Sequence, residues 1–244
     1  MTKLLNIATD PKQYDRKDVK YEGVKGLDDP HRKHFLYWIE KVHPKWKDKT
    51  VLDIGAGSGW LVKYVKEKGA REAVGFDPSS NNVKLAKENF DIELIESSLQ
   101  DFFYPEKESF DTAIALYVLT HVEDLDGAFE KISEYLKSGG MFIAIISDPE
   151  YAKRPKEGVR KDIEYLKGDK YNTFIIRAYR KTGTIADIVR DPKAYIDSAN
   201  KNGFILKNQI NMKPSKYLTE AYEKHQKLKE KNVTLSQMLV FEKK

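Results

Sequence analysis

The chain of 244 residues contains no cysteine, which excludes a disulfide framework, a thiolate-bound metal and a cysteine nucleophile together. Long apolar runs are missing as well. The opening residues, "MTKLLNIATDPKQY", lack the apolar stretch of a signal peptide, and nothing approaches the roughly 20 apolar residues that span a bilayer. These absences lead to the expectation of a soluble, cytoplasmic protein with no membrane partner. Blocks of one charge are also lacking. Lys and Arg number 43 against 38 Asp and Glu, a formal balance of +5. The lysines are scattered, as in "KYVKEKGAREAV" and "YEKHQKLKEKN", in the manner of solvated helix faces. Nucleic acid is therefore not the expected partner. No internal repeat and no low-complexity tract is found.

What is present, from residue 50 onward, is alternation. "TVLDI" is strand-like, "GWLVKYVKEKG" places Leu61, Tyr64 and Val65 at helical spacing, and "EAVGF" is the next apolar run. "SSNNVKLAKENF" opens on capping residues; "IELIE" and "FDTAIALYV" follow as strands. "DLDGAFEKISEYLKSGG" reads as a helix, then "MFIAIIS" as a strand apolar enough for burial on both sides. This order predicts an α/β fold, a Rossmann-like, seven-stranded, mostly parallel sheet with helices on both faces. Upstream, "DPHRKHFLYWIEKVHP" predicts an amphipathic helix with Asp29 as cap, Pro30 in its first turn and Pro44 at its end. "DPEYAKRPKEGVRKDIEYLKGDK" reads as polar and irregular. "YNTFIIRAYR" and "TIADIVR", joined at "KTG", read as a hairpin. "DPKAYIDSANKNGF" resumes as a helix, followed by strands "FILKNQI" and "SQMLVFE". The expected organisation is an N-terminal segment and helix covering the site (1–47), a core (48–147 and 192–244), and an inserted hairpin lid (148–191).

The stretch "VLDIGAGSGW" carries the chemistry. A strand feeding a Gly-rich turn into a helix exposes backbone N–H groups to a ligand. The dinucleotide fingerprint G-x-G-x-x-G is matched at Gly55 and Gly57, but its third place holds Trp60, and the extra glycine arrives one residue early at Gly59. An indole at that place argues against NAD or FAD and is expected to pack under the turn. No Lys-Ser or Lys-Thr pair closes a P-loop.

With Asp53 in front, the run D-x-G-x-G-x-G resembles the first motif of class I S-adenosylmethionine-dependent methyltransferases, small-molecule type. "AVGFDPSS" resembles the family's second motif, "IESSLQDF" its adenine-contacting segment, "ESFDTAIALYVLTHVED" the fourth-strand motif, and "LKSGGMFIAI" the turn into strand five. "YDRKDVKYEG" is similar to the N-terminal segment lying over the cofactor. The resemblance is dense over 50–147 and loose over the last 50 residues. It implies S-adenosyl-L-methionine as cofactor and S-adenosyl-L-homocysteine as product. The implied contacts are Tyr14, Tyr21, Asp53, Gly55, Ala56, Gly57, Gly59, Asp77, Pro78, Ser98, Leu99, Leu116 and Tyr117. In this family the acid at Asp77 takes the ribose hydroxyls, a task for which a carboxylate with two acceptor oxygens is suited. Ser98 stands where many relatives have Asp, so the adenine amine contact falls to Ser98 or to Asp101. Asp53 either touches ligand or holds the loop through backbone N–H groups.

Methyl transfer from a sulfonium is an in-line displacement, and orientation alone can supply about 7–11 kcal/mol. A base is needed only where the acceptor must lose a proton. His121, just after the fourth strand, is the candidate, because an ordinary imidazole titrates near neutrality; its other reading is a cap or packing residue of the next helix. Two absences bear on the acceptor. "ALYVLTHV" is not the Asn-Pro-Pro-Tyr type of run found in amino-methylating nucleic-acid and protein enzymes. Quinone-type relatives carry metal-binding glutamates where Tyr117 and Thr120 stand here, so no metal is expected. In the hairpin, Ile175, Arg177 and Tyr179 share one face; Phe174, Ile176, Ala178 and Arg180 share the other. If the first looks inward, Arg177 would bind an anionic group and Tyr179 would stack or hydrogen-bond. The expected function is methyl transfer to O, N or C of a small-molecule acceptor. The alternatives are an RNA methyltransferase and a non-catalytic cofactor-binding protein. Oligomeric state is open.

Overall fold

The computed structural model describes residues 3–16, 19, 26–42, 45–156, 158–180, 183–223 and 232–244. It opens with α1 (Lys3–Ala8), a 3₁₀ turn (Gln13–Asp15) and α2 (Pro30–Val42). The alternating core follows: β1 (Thr50–Ile54), α3 (Trp60–Glu67), β2 (Glu72–Asp77), α4 (Ser80–Phe90), β3 (Ile95–Glu96), β4 (Phe110–Leu116), α5 (Leu125–Tyr135) and β5 (Leu136–Ser147). An insertion contains α6 (Pro149–Lys153), β6 (Arg160–Tyr165), β7 (Phe174–Arg180) and β8 (Gly183–Val189). The chain then returns through α7 (Pro192–Lys201), β9 (Phe204–Met212), α8 (Lys216–Glu223) and β10 (Ser236–Lys243).

Seven strands form one sheet in the order β3-β2-β1-β4-β5-β10-β9. β1 through β5 pair in parallel, and β10 runs antiparallel to both of its neighbours. Side-chain alternation distributes the strands between two apolar layers. Val51, Ile114, Ile143 and Ile145 pack against Leu36 and Ile39 of α2, Leu61 and Val65 of α3, and Ala86 of α4. Leu52, Ala113, Phe142 and Ala144 pack on the opposite side, against Phe129 and Ile132 of α5 and Tyr195 and Ala199 of α7. Both faces are covered, which is why "MFIAIIS" has no polar alternation.

Local signals act as expected at the helix starts. Asp29 Oδ1 accepts from His31 N at 2.9 Å and from Arg32 N at 3.3 Å. Ser79 Oγ accepts from Asn82 N at 3.2 Å. Pro44 and the connection at 181–182 lie outside the described residues. Two expectations are corrected. The strand expected over "IELIE" shrinks to Ile95–Glu96, because Ile92 and Leu94 turn inward to the helix layer instead of pairing. The insertion is more than a hairpin: the stretch expected to be irregular supplies α6 and β6, and β6-β7-β8 form a separate three-stranded antiparallel sheet. Helix α1, which the sequence did not announce, lies on that sheet through Leu5 and Ala8 against Ile175, Ala186 and Ile188.

Candidate functional site

The glycine turn connects β1 to α3 at the carboxyl end of the parallel strands. Gly55, Gly57 and Gly59 all have φ between 54° and 74°, a region that other residues enter at a cost of about 1–2 kcal/mol. Their surroundings differ. A Cβ on Gly55 would lie 2.5 Å from Val118 Cγ2, and one on Gly59 would lie 2.8 Å from Ala86 Cβ of α4. A Cβ on Gly57 would meet nothing within 4 Å. Gly59 thus performs the close packing that the dinucleotide fingerprint assigns one residue later, and Gly57 faces open space. Trp60 is only partly buried; the Arg32 guanidinium lies over its ring, 5.7 Å from the centroid.

Asp77, at the end of β2, ties this turn together. Its Oδ2 accepts from Gly57 N at 2.8 Å, and its Oδ1 accepts from Ser79 N at 2.9 Å and Asn82 Nδ2 at 3.0 Å. Burial pushes its pKa upward against the pull of those hydrogen bonds. Asp53 is 3% exposed, and its Oδ2 finds no partner among the described residues. Burial, and then the neighbouring Asp77 charge, raise its carboxyl well above the ordinary value. Ala56 is buried and its N–H donates to Phe76 O at 2.8 Å, while Pro78 is half-buried beside Asp77. At the third strand, Ser98 Oγ donates to Asp101 Oδ2 at 2.7 Å and accepts from Asp101 N at 3.2 Å, so the two candidate adenine contacts are one local turn. Leu99 is buried beneath it.

The N-terminal segment crosses this end of the sheet. Asp15 Oδ1 accepts from Ser79 Oγ at 2.5 Å and from Asn81 N at 3.1 Å, which places a carboxylate on the amino end of α4. Tyr14 Oη lies 3.0 Å from His121 Nε2, and Gln13 Nε2 lies 3.0 Å from His121 Nδ1. Arg16 bonds the Thr184 carbonyl in β8. Tyr21 lies outside the described residues.

At the carboxyl ends of β4 and β5 is a cavity of about 400 Å³. Tyr117 and His121 after β4, Ser147 and Asp148 at the end of β5, His34 and Phe35 of α2, and Tyr14 line the core side. Lys161, Ile176, Ala178, Ile185 and Asp187 supply the inserted sheet's side. Tyr117 has φ of 60° and bonds Ser236 through its hydroxyl; Leu116, just before it, is partly buried in the helix layer. His121 Nε2 is also 3.6 Å from Asp187 Oδ1.

The cavity-facing side of the inserted sheet is the reverse of the one expected for Arg177 and Tyr179. Ile176 and Ala178 line the cavity, whereas the Ile175 side turns to α1. Tyr179 Oη donates to Asp162 Oδ2 at 2.6 Å, and the Arg177 guanidinium sits over the Tyr179 ring at 5.0 Å. Period-two alternation separates two faces but does not say which is covered; the answer depends on where α1 docks. Sequence reasoning placed Asp15 in the segment over the cofactor without giving it a contact, and it missed Gln13, Arg32, His34 and Asp187. No local pattern marks them, because each acts on a residue distant in sequence.

The donor set fits S-adenosylmethionine. An unpartnered buried carboxylate oxygen at Asp53 suits a cationic amine, and the open side of Gly57 leaves room for a ligand against backbone. Arg32, whose Nη2 donates to Ser58 Oγ at 3.1 Å, brings a partly buried cation to the same loop.

Residues 52–144 match the family model described as a methyltransferase domain. Phosphoethanolamine N-methyltransferase 1 of Arabidopsis thaliana is 31% identical over 147 residues, 58% of this chain and 29% of that protein. A ubiquinone biosynthesis O-methyltransferase from a Chelativorans species is 35% identical over 106 residues, 40% of each chain. The chain therefore spans well under half the length of either relative. Among solved structures, an S-adenosylmethionine-dependent methyltransferase from Mesorhizobium loti superposes with a TM-score of 0.65 at 19% identity, covering 86% of this chain and 98% of that one. The superposition shows a Rossmann-like fold, and within it residues 52–144 are similar to a methyltransferase domain.

Proposed function

We propose that this chain, whose core is a class I S-adenosylmethionine-dependent methyltransferase domain, transfers a methyl group to O, N or C of a small-molecule acceptor without a metal. The observation that carries the reading is adjacency. The glycine turn lies next to the segment that lines the cavity, because a Cβ on Gly55 would lie 2.5 Å from Val118, the residue after cavity-lining Tyr117. A pocket of this size takes a small molecule, and both curated relatives act on small molecules by name.

When bound, the cofactor supplies a methyl group on a positively charged sulfur. The residues assigned to hold it are Asp77 and Pro78 at the ribose, Ser98, Leu99 or Asp101 at the adenine, and Asp53 and Arg32 at the amino-acid end. Gly55, Ala56, Gly57 and Gly59 form the backbone cradle. Leu116, Tyr117 and Tyr14 border it on the cavity side. The protein's contribution is positioning: the lid wall of Ile176, Ala178 and Ile185 excludes water, and His121, Tyr14 and Asp187 orient the polar end of the acceptor. In-line placement of two reactants is the largest effect such a site needs. Tyr117 and Thr120 offer no carboxylate to a metal, which supports metal-independent transfer.

Calorimetric titration of S-adenosylmethionine into the purified protein tests the reading, with Asp77→Ala and NADH as controls. Binding lost in the variant and absent with NADH is the expected result. No binding would overturn the reading. Binding without S-adenosylhomocysteine release across a panel of hydroxyl, amine and carbon acids would instead favour a non-catalytic binding protein.

A further inference from the structure

Gln13 is 1% exposed, and its side-chain amide is fully committed. Oε1 accepts from Ala186 N at 3.3 Å, and Nε2 donates to Ala8 O at 3.2 Å. Both partners are one-way: a backbone N–H only donates and a carbonyl only accepts. The amide is thus oriented without reference to the histidine beside it. Its second Nε2–H is directed at His121 Nδ1, 3.0 Å away, so Nδ1 must be the lone-pair nitrogen. A neutral imidazole carries one ring proton, which is then on Nε2, facing Tyr14 Oη at 3.0 Å and Asp187 Oδ1 at 3.6 Å.

We propose that Gln13 is a positioning residue that holds His121 in the Nε2–H tautomer, so that the imidazole presents a proton, not a lone pair, toward Tyr14 and the acceptor cavity. The ring nitrogen able to take a proton points away from the cavity, into the N-terminal segment. This revises the role expected for His121 as a direct base. The reacting atom of the acceptor should already carry its lone pair, as an amine or an ionised oxygen does, and His121 serves to orient Tyr14. For acceptors that must lose a proton, Asp187 is the cavity-lining carboxylate beside this ring; the other charge nearby, Arg190 just past β8, is held by the Leu119 and Val122 carbonyls.

The opposite tautomer would set N–H against N–H at Gln13. Rotating the amide to accommodate it would oppose donor to donor at Ala186 and acceptor to acceptor at Ala8. Because Gln13 belongs to the N-terminal segment, the proton arrangement of the site is fixed only when that segment is docked across the core and the lid.

Long-range ¹⁵N–¹H correlation spectra of the histidine-labelled 244-residue chain test this directly. They are recorded at alkaline pH, and the His121 signals are assigned by their loss in His121→Asn. The expected wild-type pattern is a protonated Nε2 and an unprotonated Nδ1. In Gln13→Glu a carboxylate occupies the same place and can only accept, so the ring proton is expected to move to Nδ1. Gln13→Met, which keeps the length and removes the donor, is expected to yield a tautomer mixture. A wild-type ring protonated on Nδ1, or an unchanged single pattern in either variant, would overturn the proposal. If Gln13→Glu does not fold, the wild type and Gln13→Met still decide it. The proposal rests on the methyl-transfer reading only in calling the cavity an acceptor site. The spectra use neither cofactor nor acceptor, so the two can fail separately.

Discussion

The guanidinium of Arg190, just past strand β8 of the inserted sheet, donates to the Val122 carbonyl at 2.7 Å and to the Leu119 carbonyl at 3.3 Å. A third bond reaches the Glu123 carbonyl at 3.1 Å. One buried side chain thus joins the inserted sheet to the turn that carries His121. A lysine cannot reproduce this fork, because its ammonium is a single point donor on a flexible stem. Arg190→Lys is expected to lower stability by roughly 2 kcal/mol, read from urea unfolding. It should also raise the acceptor KM more than it lowers cofactor affinity.

Gly55 and Gly57 separate folding from binding. Both need a left-handed backbone, but only Gly55 is also pressed against a side chain, Val118. Gly55→Ala is expected to cost roughly 3 kcal/mol, combining backbone strain with overpacking. Gly57→Ala should cost only about 1 kcal/mol and yet abolish S-adenosylmethionine binding, since the new methyl enters the open side of the turn. Thermal melts paired with calorimetry distinguish the two. Equal losses of stability would contradict this division of roles.

His34 predicts a pH dependence of stability. Burial, and then the neighbouring His31, hold its pKa at about 4 against an ordinary 6.5. Its Nδ1 accepts from Ser215 N at 3.2 Å, and its Nε2 has no partner among the described residues. Between those two pH values the unfolded chain binds a proton that the folded protein refuses. The stability contribution is therefore complete above 6.5 and is lost as pH falls toward 4. The loss is at most about 3 kcal/mol. Urea melts across this range should show the slope in wild type and a shallower one in His34→Gln.

Asp53 has the opposite sign. Its raised folded pKa means that the native state keeps a proton the unfolded chain has released. The associated stability is present below the ordinary value of 3.8 and is lost as pH rises through the folded value. Asp53→Asn, neutral at every pH, removes that loss. The variant is expected to be at least as stable as wild type at neutral pH and to lose this advantage on acidification, while binding S-adenosylmethionine more weakly. A variant markedly less stable at neutral pH would mean that the carboxylate is a native-state anchor.

The sequence by itself determined what is periodic or local. Strand and helix alternation, the apolar run of β5 and the caps at Asp29 and Ser79 depend on residues a few positions apart, where backbone geometry alone sets the spacing. The glycine turn and Asp77 were legible for the same reason: a φ requirement and a strand end are local properties. What only the tertiary structure decided is which surfaces meet. The alternation in β7 identified two faces, yet the docking of α1 on Ile175 turned Ile176 and Ala178, rather than Arg177 and Tyr179, toward the cavity. Asp15 on α4, Gln13 on His121 and Arg190 on the β4 turn are each bonds between residues more than 60 positions apart. Their partners are brought within reach only when the N-terminal segment and the inserted sheet close on the core, and no spacing along the chain encodes that closure.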